Sequence, residues 1–339
     1  MSQIAYLAHG LTLYWPSLVL ALGLAAGLCL SLALYPRYNR HSAAVWVFFP
    51  FALILGLFFS RVVYWYCHLE QFGSFWEALV DYNRGGYALF GVIFGVWAAA
   101  FTVRRLGLVQ RMGRLLDAVA PGLCLSFAFI RLSELWGDAC RSRITLPEGF
   151  FRRLPFAVQN AEGGWPLAVF FYSFVLLFVI TALLVRFYRQ YRRFPMADGS
   201  SPNGNVFRLF LLLWGLTEIV IDSLRYDSCF MHFIWLKQLN PYASFVSLGQ
   251  IFAAVTILAV LIRFTLVRVR GRRGGWKLVL AWLVYLASLV GAGYFGEYKV
   301  QRSADYALCY PIQIVSLLVM GGVVWWTYKG CLYKEDIAE

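Results

Sequence analysis

Charge is scarce in this chain. Only 14% of its 339 residues are Asp, Glu, Lys or Arg, against 61% hydrophobic, whereas soluble domains carry about a quarter charged residues. That shortage excludes a water-facing surface over most of the molecule. Histidine is rarer still, with four residues, and the seven cysteines (Cys29, Cys67, Cys124, Cys140, Cys229, Cys309, Cys331) form no CxxC pair and no His-paired spacing. No metal and no cofactor is called for on that pattern. Buried thiols are the default, although Cys67, Cys140 and Cys229, near helix ends on what the charge pattern makes the outer side, could pair in an oxidising compartment. No internal repeat is evident, and with it goes the inverted-repeat signature of many transporters.

Long uncharged runs are what the chain does have. Seven of them approach or reach the ~30 Å hydrocarbon core at 1.5 Å per residue. An all-α integral membrane protein follows. Candidate spans are residues 12–35, 45–66, 86–103, 117–136, 166–188, 206–224, 242–263, 276–296 and 310–328, about nine transmembrane helices. Met1 to Tyr35 carries no Lys, Arg, Asp or Glu, so it lacks the positive start of a signal peptide and reads as a retained first span. The net charge of +13 comes from short basic clusters between apolar runs, which fits orientation in a membrane and argues for no nucleic acid partner. One set of alternate connections holds eighteen Lys and Arg, including Arg104, Arg105, Arg268, Arg270, Arg272 and Arg273, against nine on the other side. The positive-inside rule then puts the N-terminus outside and the C-terminus in the cytoplasm. Two longer outer connections, 67–85 and 137–165, could cover an outward-facing site, while 196–205 has the composition of a flexible cytoplasmic linker.

Charges within spans cost about 2.5 to 3.5 kcal/mol each on insertion scales, so those present are informative. Arg61 lies late in the second span, Arg131 and Glu134 late in the fourth, and Glu218, Asp222 and Arg225 late in the sixth. All three spans run from inside to outside, which predicts one depth for the six charges, in the outer third of the bilayer. Arg131 and Glu134 stand at i and i+3, and Glu218, Asp222 and Arg225 at i, i+4 and i+7, each set on one helix face. Three Arg against three acids would suit a helix-holding salt-bridge network. They would equally suit a site for an anionic amphiphile, with Arg forks on a phosphodiester and apolar helices around its acyl chains. Gly85, Gly86 and Gly91 could let backbone approach such a ligand, or could pack helices.

At these residues the chain resembles the bacterial phosphatidylglycerol:prolipoprotein diacylglyceryl transferases. The stretch Gly204 to Arg225, GNVFRLFLLLWGLTEIVIDSLR, is similar to that family's run ending in acid-x-x-Arg. Ser247 to Ile251, SLGQI with Gln250, resembles its Ser-Met-Gly-Gln signature. Arg61 with Tyr64 resembles its Gly-Arg-x-x-Tyr, and Gly85-Gly86 with Gly91 its Gly-Gly, apolar, His-Gly-Gly segment. Asp117, Ala120-Pro121 and Arg131-Leu132 resemble the helix leading to its Arg-Ile-Gly-Asn signature. There are departures: Phe90 stands where the family has His, Glu134 where it has Asn, Phe171 where it has Glu, and Glu218 where it has an Arg that holds the lipid phosphate.

The resemblance implies a seven-helix core over residues 1–268, followed by two additional helices and a short tail over 269–339, in the bacterial plasma (inner) membrane. It implies transfer of the diacylglyceryl group of phosphatidylglycerol to the lipobox cysteine thiol of a prolipoprotein signal peptide, within the lipid bilayer. Lipid-phosphate binding would fall to Arg61, Arg131 and Arg225, with Glu134, Glu218 and Asp222 as further catalytic candidates and Tyr64, Gly85, Gly86, Gly91 and Gln250 in support. His68 or His232 would be an alternative base, since His suits proton transfer near neutral pH. A catalytically inactive relative that binds phospholipid or a lipoprotein partner is the other reading. The last two spans hold no charge between Leu278 and Gly296 or between Tyr310 and Tyr328, and packing is expected of them.

Overall fold

A run of twenty residues with no charge can satisfy its backbone in lipid only by closing into a helix, and α1 does so over Trp15–Leu34. Its Pro16 stands in the first turn, where a missing N–H costs nothing. The computed structural model describes residues 4–8, 11–35, 42–81, 86–137, 141–147, 149, 151–160, 162–191, 203–225, 246–303 and 305–331. Gly85, His232, Cys140 and Cys229 lie outside the described residues, as does most of the 196–205 linker. Ahead of α1, β1 (Ile4–Ala8) and β2 (Leu11–Tyr14) form an antiparallel hairpin, so the first helix starts three residues later than its apolar run.

The helices that follow are α2 (Ser42–Cys67), α3 (Phe75–Val80), α4 (Leu89–Arg105), α5 (Met112–Ser133), α6 (Val169–Tyr191), α7 (Asn205–Leu224), α8 (Leu248–Arg270), α9 (Trp276–Ser303) and α10 (Tyr306–Lys329). Among the described residues, seven are long and apolar enough to cross a membrane: α1, α2, α5, α6, α8, α9 and α10. Seven such helices make a multi-pass membrane protein. Helix α4 has only 17 residues, and α7 carries Arg208, Glu218 and Asp222 within its 20.

The chain divides into two compact units. The first comprises Met1–Arg186 with Leu224–Met231, and the second Phe187–Ser223 with His232–Glu339. Two seams of small residues hold the first unit. In α1, Gly23, Gly27 and Ser31 recur every fourth residue and meet Gly122 and Ser126 of α5: a Cβ on Gly122 would lie 2.2 Å from the Gly27 carbonyl oxygen. Ser126 Oγ donates across the seam to the Gly23 carbonyl at 3.1 Å. Gly91 and Gly95 of α4 meet α2 the same way, a Cβ on Gly91 falling 2.3 Å from Ser60 Cα and one on Gly95 2.3 Å from the Gly56 nitrogen. Lipid tails are as apolar as Leu, so helices in a membrane associate through close backbone approach and interhelical hydrogen bonds of this kind.

In the second unit, α7 and α8 pack through Gly215, whose Cβ would stand 3.2 Å from Ile257. Ser247 and Gln250 form a reciprocal capping box that starts α8 at Leu248, later than the apolar run beginning near 242. Helix α9 continues past Gly296 through a π-helical stretch, Tyr294–Lys299, to Ser303. The far end of this unit is an aromatic cluster of Phe187, Phe264, Trp325 and Tyr328, with the Arg268 guanidinium 3.9 Å from the Trp326 ring centre.

Candidate functional site

Arg61 points from the penultimate turn of α2 and is 3% exposed. Its Nε donates to the Ala78 carbonyl at 2.5 Å, Nη2 to Asp81 O at 2.6 Å and Nη1 to Gly86 O at 2.9 Å. The first two carbonyls belong to the C-terminal end of α3, which a helix leaves without intrahelical partners. Tyr64, Phe72 and Tyr87 surround the same guanidinium at 5.3 to 5.6 Å. One buried charge thus ties Phe72, Ala78 and Asp81 on one side to Gly86 and Tyr87 on the other. Gly86 completes this lock through its carbonyl, and a Cβ there would come 3.2 Å from the Tyr64 ring.

His68 follows Tyr64 by one helical turn, stacked on it with ring centres 4.1 Å apart. His68 Nδ1 lies 3.0 Å from the Tyr64 carbonyl oxygen. A carbonyl only accepts, so in the neutral ring the proton sits on Nδ1 and the basic lone pair is on Nε2. Of the two histidines read as alternative bases, this is the one within the described residues.

Arg131 occupies the last turn of α5, where a cation suits the helix dipole, and is 2% exposed. Its Nη1 donates to Glu134 Oε1 at 3.1 Å and is 3.5 Å from Oε2, the i, i+3 pairing expected from the sequence. Glu134 opens a 3-10 turn to Trp136, whose ring stacks on Trp15 with centres 6.2 Å apart, tying the turn to the start of α1. Arg225, half-buried, belongs to the same unit: its carbonyl accepts from Arg143 Nε at 2.8 Å and its backbone bridges to Ser142 in the 137–165 segment. Gly91 faces α2 backbone and not open space, so it packs helices.

The second unit holds Glu218 and Asp222, both buried on α7. Asp222 Oδ2 accepts a short hydrogen bond from Ser247 Oγ. Gln250 Oε1 accepts from the Ser247 amide at 2.9 Å, and its Nε2 donates to Ile219 O at 3.2 Å and to Glu297 Oε1. Among the described residues no group of three His, Cys, Asp or Glu could hold a metal ion.

The family model for prolipoprotein diacylglyceryl transferase matches residues 3–266. The chain belongs to that family. Its similar relatives include phosphatidylglycerol–prolipoprotein diacylglyceryl transferases of Finegoldia magna, 22% identical over 73% of this chain and 93% of the relative, and of Clostridium botulinum, 25% identical over 70% and 91%. A third, from Oceanobacillus iheyensis, is 25% identical over 68% of this chain and 79% of its own length. The family match ends within α8, and so excludes α9 and α10.

Sequence reasoning missed the polar groups of those last two helices. Glu297 is 7% exposed and Gln313 fully buried, with Gln313 Oε1 accepting from Ser223 Oγ at 3.3 Å and Tyr310 donating to the Ser223 carbonyl at 3.3 Å. The available signal was a lone Glu one residue past an uncharged run, with Gln four residues on at 301 and again at 313.

Proposed function

We propose that this family member transfers the diacylglyceryl group of phosphatidylglycerol to the lipobox cysteine thiol of bacterial prolipoproteins in the inner membrane. The observation that carries the reading is Arg131, a guanidinium buried at the end of a membrane helix in a chain matched by the transferase family over residues 3–266. In the reaction the cysteine thiol gives its proton to a base, and the thiolate attacks the glyceryl carbon that bears the phosphate. A C–S bond forms, the C–O bond breaks with its electron pair leaving on the phosphate, and glycerol phosphate departs. Arg131 stabilises the charge of that leaving group, a fixed donor in a low-dielectric setting, and Glu134 holds its fork. His68 Nε2 accepts the thiol proton, its tautomer set by the Tyr64 carbonyl. Arg61 holds Ala78, Asp81 and Gly86 in place.

The reading includes nine spans, α4 and α7 being the two whose charge or length sets them apart, with the N-terminus outside and the C-terminus in the cytoplasm. It also includes the division at residue 268 between a family core and two appended helices. A second reading, a relative that holds phospholipid or a lipoprotein partner without turnover, draws on Phe90, a buried apolar side chain at the position where the resemblance has a His.

Purified protein in lipid nanodiscs, given labelled phosphatidylglycerol and a lipobox peptide, separates the two. Transfer predicts a thioether-linked diacylglyceryl peptide, reduced about 10²- to 10³-fold in Arg131→Ala at unchanged membrane expression. Bound lipid with an unmodified cysteine supports the second reading and sinks the first.

A further inference from the structure

We infer that the two helices beyond the family match are part of the working core, with Glu297 of α9 as a positioning residue for Asp222. This inference rests on the transferase reading in one respect only, that Asp222, carried over by resemblance, serves the reaction.

The argument follows a chain of hydrogen bonds inside the second unit. Glu297 Oε1 accepts from Gln250 Nε2, and Glu297 Oε2 accepts from Gln301 Nε2 at 3.1 Å. Held at that end, Gln250 turns its Oε1 to the Ser247 amide at 2.9 Å, while the Gln250 amide donates to Ser247 Oγ at 3.0 Å. Ser247 Oγ then has its proton for Asp222 Oδ2. Each link uses up the freedom of the next: an amide side chain has two ends, and fixing its nitrogen fixes where its oxygen points. A carboxylate buried to 7% in an apolar helix is expensive, and accepting from two amides is what makes Glu297 tolerable there.

The backbone of α9 is shaped for the same contact. Glu297 lies in the π-helical stretch Tyr294–Lys299, a wound-out turn of the sort that recurs at functional sites. Gly296 beside it lets α10 come close, since a Cβ there would fall 2.0 Å from Gln313 Nε2. Gln313 and Tyr310 of α10 in turn hold Ser223, the neighbour of Asp222, by its hydroxyl and its carbonyl. Asp222 is thus steered from both sides by helices that the family match does not reach.

The test compares wild type, Glu297→Ala and Glu297→Gln by two measurements. In the lipobox-peptide assay, Glu297→Ala lowers kcat roughly tenfold or more at unchanged KM, and Glu297→Gln, whose amide oxygen still accepts from Gln250, stays within about twofold of wild type. In nanodiscs, hydrogen exchange at the Ser247 and Gln250 amides rises about tenfold in Glu297→Ala and not in Glu297→Gln. A wild type that transfers nothing ends the transferase reading and leaves exchange to decide whether Glu297 orders the α8 start. Unchanged exchange in Glu297→Ala overturns the positioning role, as does Glu297→Gln matching the alanine variant in either measurement. Raised exchange with full turnover removes Glu297 from the reaction. Should Glu297→Ala not fold, Glu297→Asp, one methylene short of Gln250, takes its place with the same expectations.

Discussion

Replacing Gly91 with alanine puts one methyl group where the backbone of α2 already is. The new Cβ would stand 2.3 Å from Ser60 Cα and 2.4 Å from both Phe59 O and Ser60 N. Carbon atoms in contact sit about 3.5 to 4.0 Å apart, so α4 has to retreat by roughly 1.2 Å or more. No rotamer relieves this, because every obstructing atom is backbone. The retreat pulls apart the Ser60 Oγ to Ala88 O bond of 2.9 Å and the Ala88 N to Ser60 O bond of 3.2 Å, which fix the start of α4. Overpacking costs about 1 to 3 kcal/mol and each interhelical bond in a membrane about 0.6, giving a loss of roughly 2 to 4 kcal/mol. Gly56→Ala, on the same seam, is the control: its Cβ would meet Val92 Cγ1 at an ordinary 3.4 Å. Denaturation in mixed micelles reads both variants. The folded fraction of Gly91→Ala should collapse at denaturant concentrations that leave Gly56→Ala intact. Equal midpoints would refute the claim that backbone contact, and not mere proximity of two helices, holds this seam.

Arg61→Lys keeps the charge and loses the fork, so one ammonium replaces a group bonded to Ala78, Asp81 and Gly86. Protease sensitivity between residues 72 and 88 should rise several-fold, and an unchanged cleavage pattern would count against the lock. Ser126→Ala removes the bond to the Gly23 carbonyl at the α1–α5 seam and should cost only about 0.6 kcal/mol in the same unfolding assay; a loss above roughly 2 would mean the hydroxyl does more than join helices. His68→Asn should slow lipobox-cysteine modification about 10²- to 10⁴-fold while phosphatidylglycerol still binds, and retained turnover would hand the base to another group. Glu134→Gln, which still accepts from Arg131, should reduce transfer far less than Arg131→Ala; equal losses would make Glu134 more than a support for the fork.

Much of the fold was legible because a membrane leaves few choices: an uncharged run must be a helix, and α1, α2, α6 and α10 lie within a few residues of their runs. Ends were less legible. Hydropathy carries on through residues 242 to 246, and only the hydrogen bonds of Ser247 and Gln250 decide where α8 begins. The Arg131–Glu134 pair could be read from spacing, since i and i+3 meet on any helix. Arg61 could not, because its partners are carbonyls 17 to 25 residues away that arrive only when the chain folds back. Gly91 offered the choice of ligand approach or packing, and only the distance to Ser60 decides it. Glu297 escaped because it stands just past an uncharged run, where a span ordinarily ends, whereas the side-chain amides of Gln250 and Gln301 let α9 carry it inward.

The glycine seams also bear on traffic. Where the carbonyl of Gly27 nearly touches α5, and the backbone of Ser60 nearly touches α4, no acyl chain can slip through. Those two joints are welded shut. A phospholipid that enters the first unit sideways therefore has to come through a different gap, and mutations that widen either seam should unfold the helices before they open a door.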